Sequence, residues 1–235
     1  MLNPALDADA LAARYRMKKR LQIRDVLQPD LAERIFQCLT RETPWGVVYN
    51  EGERTITLSP QELRAMPQAE RGRRVAAASE RARTEFQFVY HAYLMLQNYK
   101  AGIDKGLFLH DVLEAINSEV MLEFVRKVTG ISTVVRADAQ ATLYAPGHFL
   151  TRHNDAADEK LHRRIAYVLS FTKNWHPDWG GLLQFYDDEN EITDVFVPRF
   201  NTLSIFTVPQ FHAVSCVAPY APMGRLAITG WFQDP

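Results

Sequence analysis

Residues 148–159 read HFLTRHNDAADE, and the residue types inside that run govern how the rest of the chain is read. FLTRH is β-prone and extended in character. In a strand, residues i and i+2 share a face, so His153 and Asp155 point the same way while Asn154 turns aside. An imidazole and a carboxylate on one face can hold a single ion. Around this run, short apolar segments separated by turn residues recur from position 131 onward. They are STVVRADAQATLY, HFLTRHN, RIAYVLSFT, LLQFYD, DVFVPR, NTLSIFTV, HAVSCV and RLAITGWF. About eight short strands is the count of a double-sheet jelly roll.

A third ligand has to come from another strand. His212 fits: it follows NTLSIFTV and a Pro-Gln-Phe turn, 57 residues after Asp155. Arg225 lies 13 residues further on, at the head of RLAITGWF. Alternation there puts Arg225, Ala227, Thr229 and Trp231 on one face. Two imidazoles and one carboxylate leave half of an octahedral ferrous ion open. A guanidinium makes a rigid fork to a carboxylate that lysine cannot copy, so Arg225 suits the far end of a dicarboxylic co-substrate. Taken singly, the pair could be an exposed loop ion pair, His212 a satisfied core histidine, and Arg225 a structural ion-pair partner. The ordered set favours a site.

The series YAPGHFLTRHND, RRIAYVLSFT, WGGLLQFYDD, NTLSIF, FHAVSCV and GRLAITGWF resembles the iron(II)- and 2-oxoglutarate-dependent oxygenases, and within them the prolyl-hydroxylase branch. The upstream INSEVMLEFVRKVTGI is similar to the stretch before the catalytic core of the yeast-type ribosomal prolyl hydroxylases. The likeness is close over about residues 110–235 and loose over 20–110. It implies an α+β fold: a double-stranded β-helix (jelly-roll, cupin-like) core with packed N-terminal helices. It assigns His153, Asp155 and His212 to the metal and Arg225 to the C5 carboxylate of 2-oxoglutarate. Tyr144 matches a tyrosine that hydrogen-bonds this co-substrate, and Tyr167 a second one lining its pocket. Iron(II), 2-oxoglutarate, oxygen and an auxiliary ascorbate are the implied cofactors, with succinate and carbon dioxide released. The implied partner is a protein or peptide with a target proline, the translation apparatus being the first place to look. The yeast-type enzymes carry a second, non-catalytic copy of the fold; only the catalytic unit is expected here. Two other readings stay open: the same chemistry on a small molecule or free amino acid, and a non-catalytic jelly-roll binding module.

Composition is compatible with this. The 235 residues are 47% apolar, which suits one domain over 1–235 with a sizeable core. Residues 1–110 are expected to be a mainly helical support and 131–235 the jelly-roll catalytic core. The net charge of −1 gives no reason to expect a nucleic-acid or membrane partner. Cys38 and Cys216 lack metal-type spacing and read as reduced thiols, Cys216 as core packing. With no signal-peptide pattern and no long apolar run, a cytoplasmic location is expected.

Among the N-terminal elements, 7–18 reads as a short amphipathic helix and LQIRDVL (21–27) as a strand. A helix opens at Pro29, and WGVVYNEGERTITL (45–58) reads as a hairpin turning at Asn50, Glu51 and Gly52. Ser59 and Pro60 form a helix start. Residues 64–84 are either a solvated helix or a mobile segment, and 85–98 either strand or helix. Residues 110–128 are predicted as one helix, with Val112, Leu113, Ile116, Val120, Met121, Phe124 and Val128 as its apolar set and Gly130 ending it. The loop NWHPDWGG is a packed turn or, with Trp175, Trp179 and Tyr186, an aromatic rim for substrate. His91, His110, His148 and His162 are given capping, surface or supporting roles.

Overall fold

The structure, a computed structural model, describes residues 1–52, 54–155 and 162–235. The tail AADE of the stretch quoted first lies outside the described residues.

The N-terminal part opens with α1 (Ala8–Lys18), capped by the Asp7 side chain, which accepts from the Asp9 and Ala10 amides. β1 (Arg20–Arg24) and α2 (Pro29–Arg41) follow, the latter with Pro in its first turn. β2 (Gly46–Glu51) and β3 (Arg54–Leu58) form the expected hairpin. Ser59 and Glu62 close a reciprocal capping box on α3 (Pro60–Ala65). The Arg- and Ala-rich segment is helical, as α4 (Gln68–Arg81), and buries only Ala78. The undecided run 85–98 is both things in turn: β4 (Phe88–Tyr93), then the start of α5 (Met95–Ala101).

One expectation about these elements needs correction. The helix predicted over 110–128 is two helices, α6 (Phe108–Ile116) and α7 (Glu119–Thr129). The break is chemical. The Asn117 amide accepts from the Ala137 N–H and donates to the Ala137 carbonyl, and Ser118 then caps α7. Val120, assigned to the apolar face, is 61% exposed as a result. Of the strands within the N-terminal support, β1 and β4 join the main sheet.

Among the described residues, nine strands follow: β5 (Arg136–Ala137), β6 (Gln140–Tyr144), β7 (Phe149–His153), β8 (Arg163–Ser170), β9 (Leu183–Tyr186), β10 (Ile192–Phe196), β11 (Thr202–Thr207), β12 (His212–Val214) and β13 (Arg225–Gln233). The sheet runs β1-β11-β8-β13-β6-β4-β7-β12-β9-β10, with β2, β3 and β5 attached off this path. It curls until its two ends face each other: Phe206 of β11 packs edge-on against Phe185 of β9, ring centroids 5.1 Å apart.

Alternation sorts the side chains into layers. Ile165, Tyr167 and Leu169 of β8, with Leu226, Ile228 and Phe232 of β13, face the helices and share a core with Leu113, Val125 and Ile35. The opposite faces, including Ala166, Val168, Arg225, Thr229 and Trp231, line the cavity inside the curl. β4 divides in the same way, with Phe88 and Tyr90 on the cavity side and Val89 and His91 on the α3–α4 side. Among the described residues, no helix is long and apolar enough to cross a membrane.

Candidate active site

His153 ends β7 and His212 begins β12, and the two are register partners across the β7–β12 ladder. Each ring is held the same way. His153 Nδ1 lies 2.9 Å from the Thr151 carbonyl and His212 Nδ1 lies 2.8 Å from the Gln210 carbonyl. An N–H donated from Nδ1 fixes the tautomer and leaves Nε2 as the free lone pair, the arrangement that orients metal-binding imidazoles. Asp155 completes the group, its oxygens 3.2 Å from His153 Nε2 and 3.5 Å from His212 Nε2. One ligand atom from each of the three residues fits within a 4.8 Å span.

Strand pleat does not produce this geometry, as the i, i+2 spacing suggested. β7 stops at His153, and Asp155 has φ = 61°, in the left-handed region. A turn swings the carboxylate back to the imidazoles. Aspartate tolerates that conformation better than most residues.

Electrostatics favour cation binding. Burial by itself would raise the Asp155 carboxyl, but the contact with His153, the proximity of His212 and the Trp231 indole N–H outweigh it and hold the group at about 2. Burial pushes His212 down to about 4, with His153 adding to the effect against the pull of Asp155. The site therefore presents a carboxylate and a neutral imidazole at neutral pH. This donor set, two nitrogens and one ionised oxygen on one side, fits a ferrous ion with open positions opposite.

Arg225 opens β13 and lines the same cavity of about 190 Å³ as the three candidate ligands. It is 3% exposed, and its Nε and Nη1 have no hydrogen-bond partner. Its guanidinium lies 5.3 Å from the centre of the Tyr144 ring, and Tyr144 in turn stacks on Tyr90 at 5.0 Å. Tyr144 is buried, which raises its phenol, with Tyr90 adding and Arg225 opposing. Tyr167 stands differently. It lines the same cavity, but its hydroxyl donates to the Asp138 carbonyl at 2.8 Å and its ring packs on Phe232.

Sequence reading placed Trp231 on the inward face without giving it a task. Its indole Nε1 donates to Asp155 Oδ2 at 2.9 Å, and its backbone N–H donates to the half-buried Asp138 carboxylate at 2.7 Å. The alternation of RLAITGWF was the available signal. Phe86, 45% exposed, sits at the mouth with its ring 5.3 Å from that of His153.

The Trp175–Gly181 loop is a packed turn. Trp175 donates to the Gly180 carbonyl and meets Trp179 edge-on, and neither tryptophan nor Tyr186 lines the cavity. Gly181, at φ = 61°, lets this loop pass close behind Arg225: a Cβ there would lie 3.4 Å from Arg225 Cδ. Cys216 is exposed, contrary to its expected core role, because Val217 takes the inward position beside it.

Comparison with known proteins agrees with this geometry. Residues 139–233 match the family model described as 2OG-Fe(II) oxygenase superfamily. The matched region is similar to a 2OG-Fe(II) oxygenase domain. It contains all six residues named as site candidates from the sequence. A mouse protein named prolyl 3-hydroxylase OGFOD1 is 34% identical over 119 residues, 48% of this chain. The chain spans 21% of the length of that relative. Among solved structures, a Pseudomonas putida prolyl-4-hydroxylase is similar with a TM-score of 0.63 at 17% identity, covering 97% of this chain and 99% of that one. A Trichoplax adhaerens prolyl hydroxylase, solved with a peptide fragment of the hypoxia inducible factor oxygen degradation domain, gives a TM-score of 0.64 at 15% identity, covering 97% and 89%. At these identities the likeness establishes the fold, the double-stranded β-helix of the 2OG-Fe(II) oxygenases.

Proposed function

We propose that this chain is an iron(II)- and 2-oxoglutarate-dependent dioxygenase that hydroxylates a prolyl residue of a protein. The observation that carries the reading is the pairing, in one cavity, of a His-Asp-His donor set with a buried cation. Arg225 holds two unpartnered N–H groups there. A buried guanidinium without an anion is costly, so the site is built for a carboxylate to complete it. A dicarboxylic keto acid spans both features, binding the metal at one end and Arg225 at the other.

In this reading His153, Asp155 and His212 hold the iron from one side. Trp231 fixes the Asp155 carboxylate, and the Thr151 and Gln210 carbonyls fix the two imidazoles. Arg225 orients the co-substrate through its distal carboxylate, with Tyr144 lying beneath the guanidinium. Phe206 and Phe185 pack against His212 and keep water from that flank. When bound, iron(II) with 2-oxoglutarate and oxygen supplies the oxidising power that converts a C–H to a C–OH as the co-substrate loses carbon dioxide and leaves as succinate. Residues 1–235 act as one domain, the N-terminal helices and strands supporting the jelly roll.

The prolyl target is supported by the sequence similarity to a relative named as a prolyl 3-hydroxylase. The resemblance to ribosomal prolyl hydroxylases makes a protein of the translation apparatus the first substrate to try. The test is purified chain with iron(II), 2-oxoglutarate and proline-containing peptides, read by succinate formation and by mass spectrometry for one added oxygen on proline. Oxygen added to free amino acids or small metabolites but to no peptide would overturn the protein substrate. No succinate formation under any of these conditions would overturn the enzymatic reading in favour of a binding module.

A further inference from the structure

On the face of β4 turned away from the catalytic cavity lies a second cavity of about 220 Å³. Strand alternation separates the two: Phe88 and Tyr90 line the catalytic side, Val89 and His91 this one. Its walls are apolar, from Val47, Leu58, Leu63, Val75 and Val89, and two polar features interrupt them. The first is a pair of imidazoles, His91 and His148, with ring centroids 5.0 Å apart. His148 is 6% exposed and its Nδ1 has no hydrogen-bond partner. His91 engages the Gly46 carbonyl through Nδ1 at 3.0 Å, which leaves its Nε2 as an acceptor. The second feature is cationic. Arg74, half-buried, pairs with Glu70 and touches the Tyr49 hydroxyl. Arg71, exposed, donates to the Met66 and Arg64 carbonyls and makes no ion pair with any described residue.

Buried polar atoms are almost always hydrogen-bonded, so an open buried ring nitrogen in an apolar cavity calls for a hydrogen-bonding partner such as a hydroxyl. One water, occupying about 30 Å³ of liquid volume, would leave most of the apolar space unfilled. The combination is that of a ligand pocket: apolar body, a few placed polar groups. A cation is disfavoured by the two guanidinium groups, and a plain hydrocarbon leaves His148 unsatisfied.

We propose that this cavity is a second small-molecule site, for a hydroxyaryl or similarly apolar hydroxy acid. The hydroxyl donates to His148 Nδ1, the apolar body lies between Leu63 and Val89, and the carboxylate meets Arg71. The site is separate from the co-substrate cavity and does not depend on the catalytic reading.

The test uses the full chain with 4-hydroxyphenylacetate as probe. Binding is followed by saturation-transfer NMR and by the ring resonances of His148. Expected is a Kd of about 1 mM or tighter, as a ligand of this size reaches at modest efficiency. Saturating 2-oxoglutarate should not displace the probe. Val75→Trp, which fills the cavity from the helix side, should abolish binding. Arg71→Gln, a surface change that leaves the fold intact, should weaken it several-fold. No binding up to about 10 mM, displacement by 2-oxoglutarate, or binding unaffected by both variants each overturns the proposal.

Discussion

His153 and His212 stand directly opposite each other on neighbouring antiparallel strands, their ring centroids 4.1 Å apart. Each is pinned through Nδ1 to the carbonyl two residues before it. Residues 59 positions apart thus acquire the same ring orientation from the same local device. Two free Nε2 atoms then need only one carboxylate, and Asp155 reaches both.

Asp155→Ala should therefore eliminate metal binding at this site while leaving the sheet intact. The loss should exceed the 10–100-fold range typical of removing an outer-shell partner. Titration with iron(II) or cobalt(II), alongside circular dichroism to verify the fold, checks it. Retained tight binding would mean that the metal sits elsewhere.

Trp231→Phe should weaken metal affinity by about 10-fold without abolishing it. The change removes the 2.9 Å hydrogen bond to Asp155 and keeps an aromatic surface under Arg163, whose guanidinium lies 3.6 Å from the indole. Unaltered affinity would show that the turn at Asp155 alone fixes the carboxylate.

Arg225 offers a test with two opposite signs. Arg225→Met should raise the 2-oxoglutarate KM strongly, since losing a buried charged partner costs about 2–5 kcal/mol. In the co-substrate-free protein the same change should leave stability unaltered or raise it by about 1–4 kcal/mol, because it replaces a buried, unpaired cation with an apolar side chain. Comparing melting temperatures with and without 2-oxoglutarate separates the two effects. A destabilised co-substrate-free protein would mean that Arg225 is a structural residue.

Much of this site was legible from residue order. The period-2 pattern of RLAITGWF correctly put Arg225 and Trp231 inside, because strand alternation survives folding. What stayed hidden depended on partners distant in sequence. Asn117 breaks the expected helix because Ala137 offers both backbone groups to it, and nothing near 117 announces that. β1 and β4 enter the sheet through β11, β6 and β7, pairings that no local pattern specifies. The left-handed turn at Asp155 and the burial of His148 likewise belong to tertiary packing.

One of those distant ties has a measurable cost. The Asn201 side chain accepts from the Leu27 N–H at 2.9 Å and donates to the Leu27 carbonyl at 2.8 Å, fully inside the protein. It fastens the segment between β1 and α2 to the head of β11. Asn201→Ala leaves both buried backbone groups unsatisfied and should cost about 2–6 kcal/mol, at roughly 1–3 kcal/mol for each orphaned group. Chemical denaturation measures it, and a loss below about 1 kcal/mol would show that solvent replaces the side chain.

The substrate surface gives the last prediction. The tryptophan loop was one sequence-based candidate for an aromatic rim, yet Trp179 packs half-buried against the cluster of Tyr90, Tyr144 and Val217, away from the cavity. Phe86 occupies the position a rim residue needs: 45% exposed, beside His153, and lining both the catalytic cavity and the open groove next to it, which Glu85 and Phe88 also border. Flat apolar rings suit proline in an extended segment. Phe86→Ala should raise the peptide KM by about 10-fold, the effect of losing one aromatic contact at the centre of an interface. The slow consumption of 2-oxoglutarate without peptide should not change, because Phe86 supplies no polar atom to metal or co-substrate. Trp179→Ala should instead lower the melting temperature, through the packing it loses. If Trp179→Ala weakens peptide turnover at unchanged stability while Phe86→Ala does not, the peptide crosses the tryptophan loop and not the Phe86 groove.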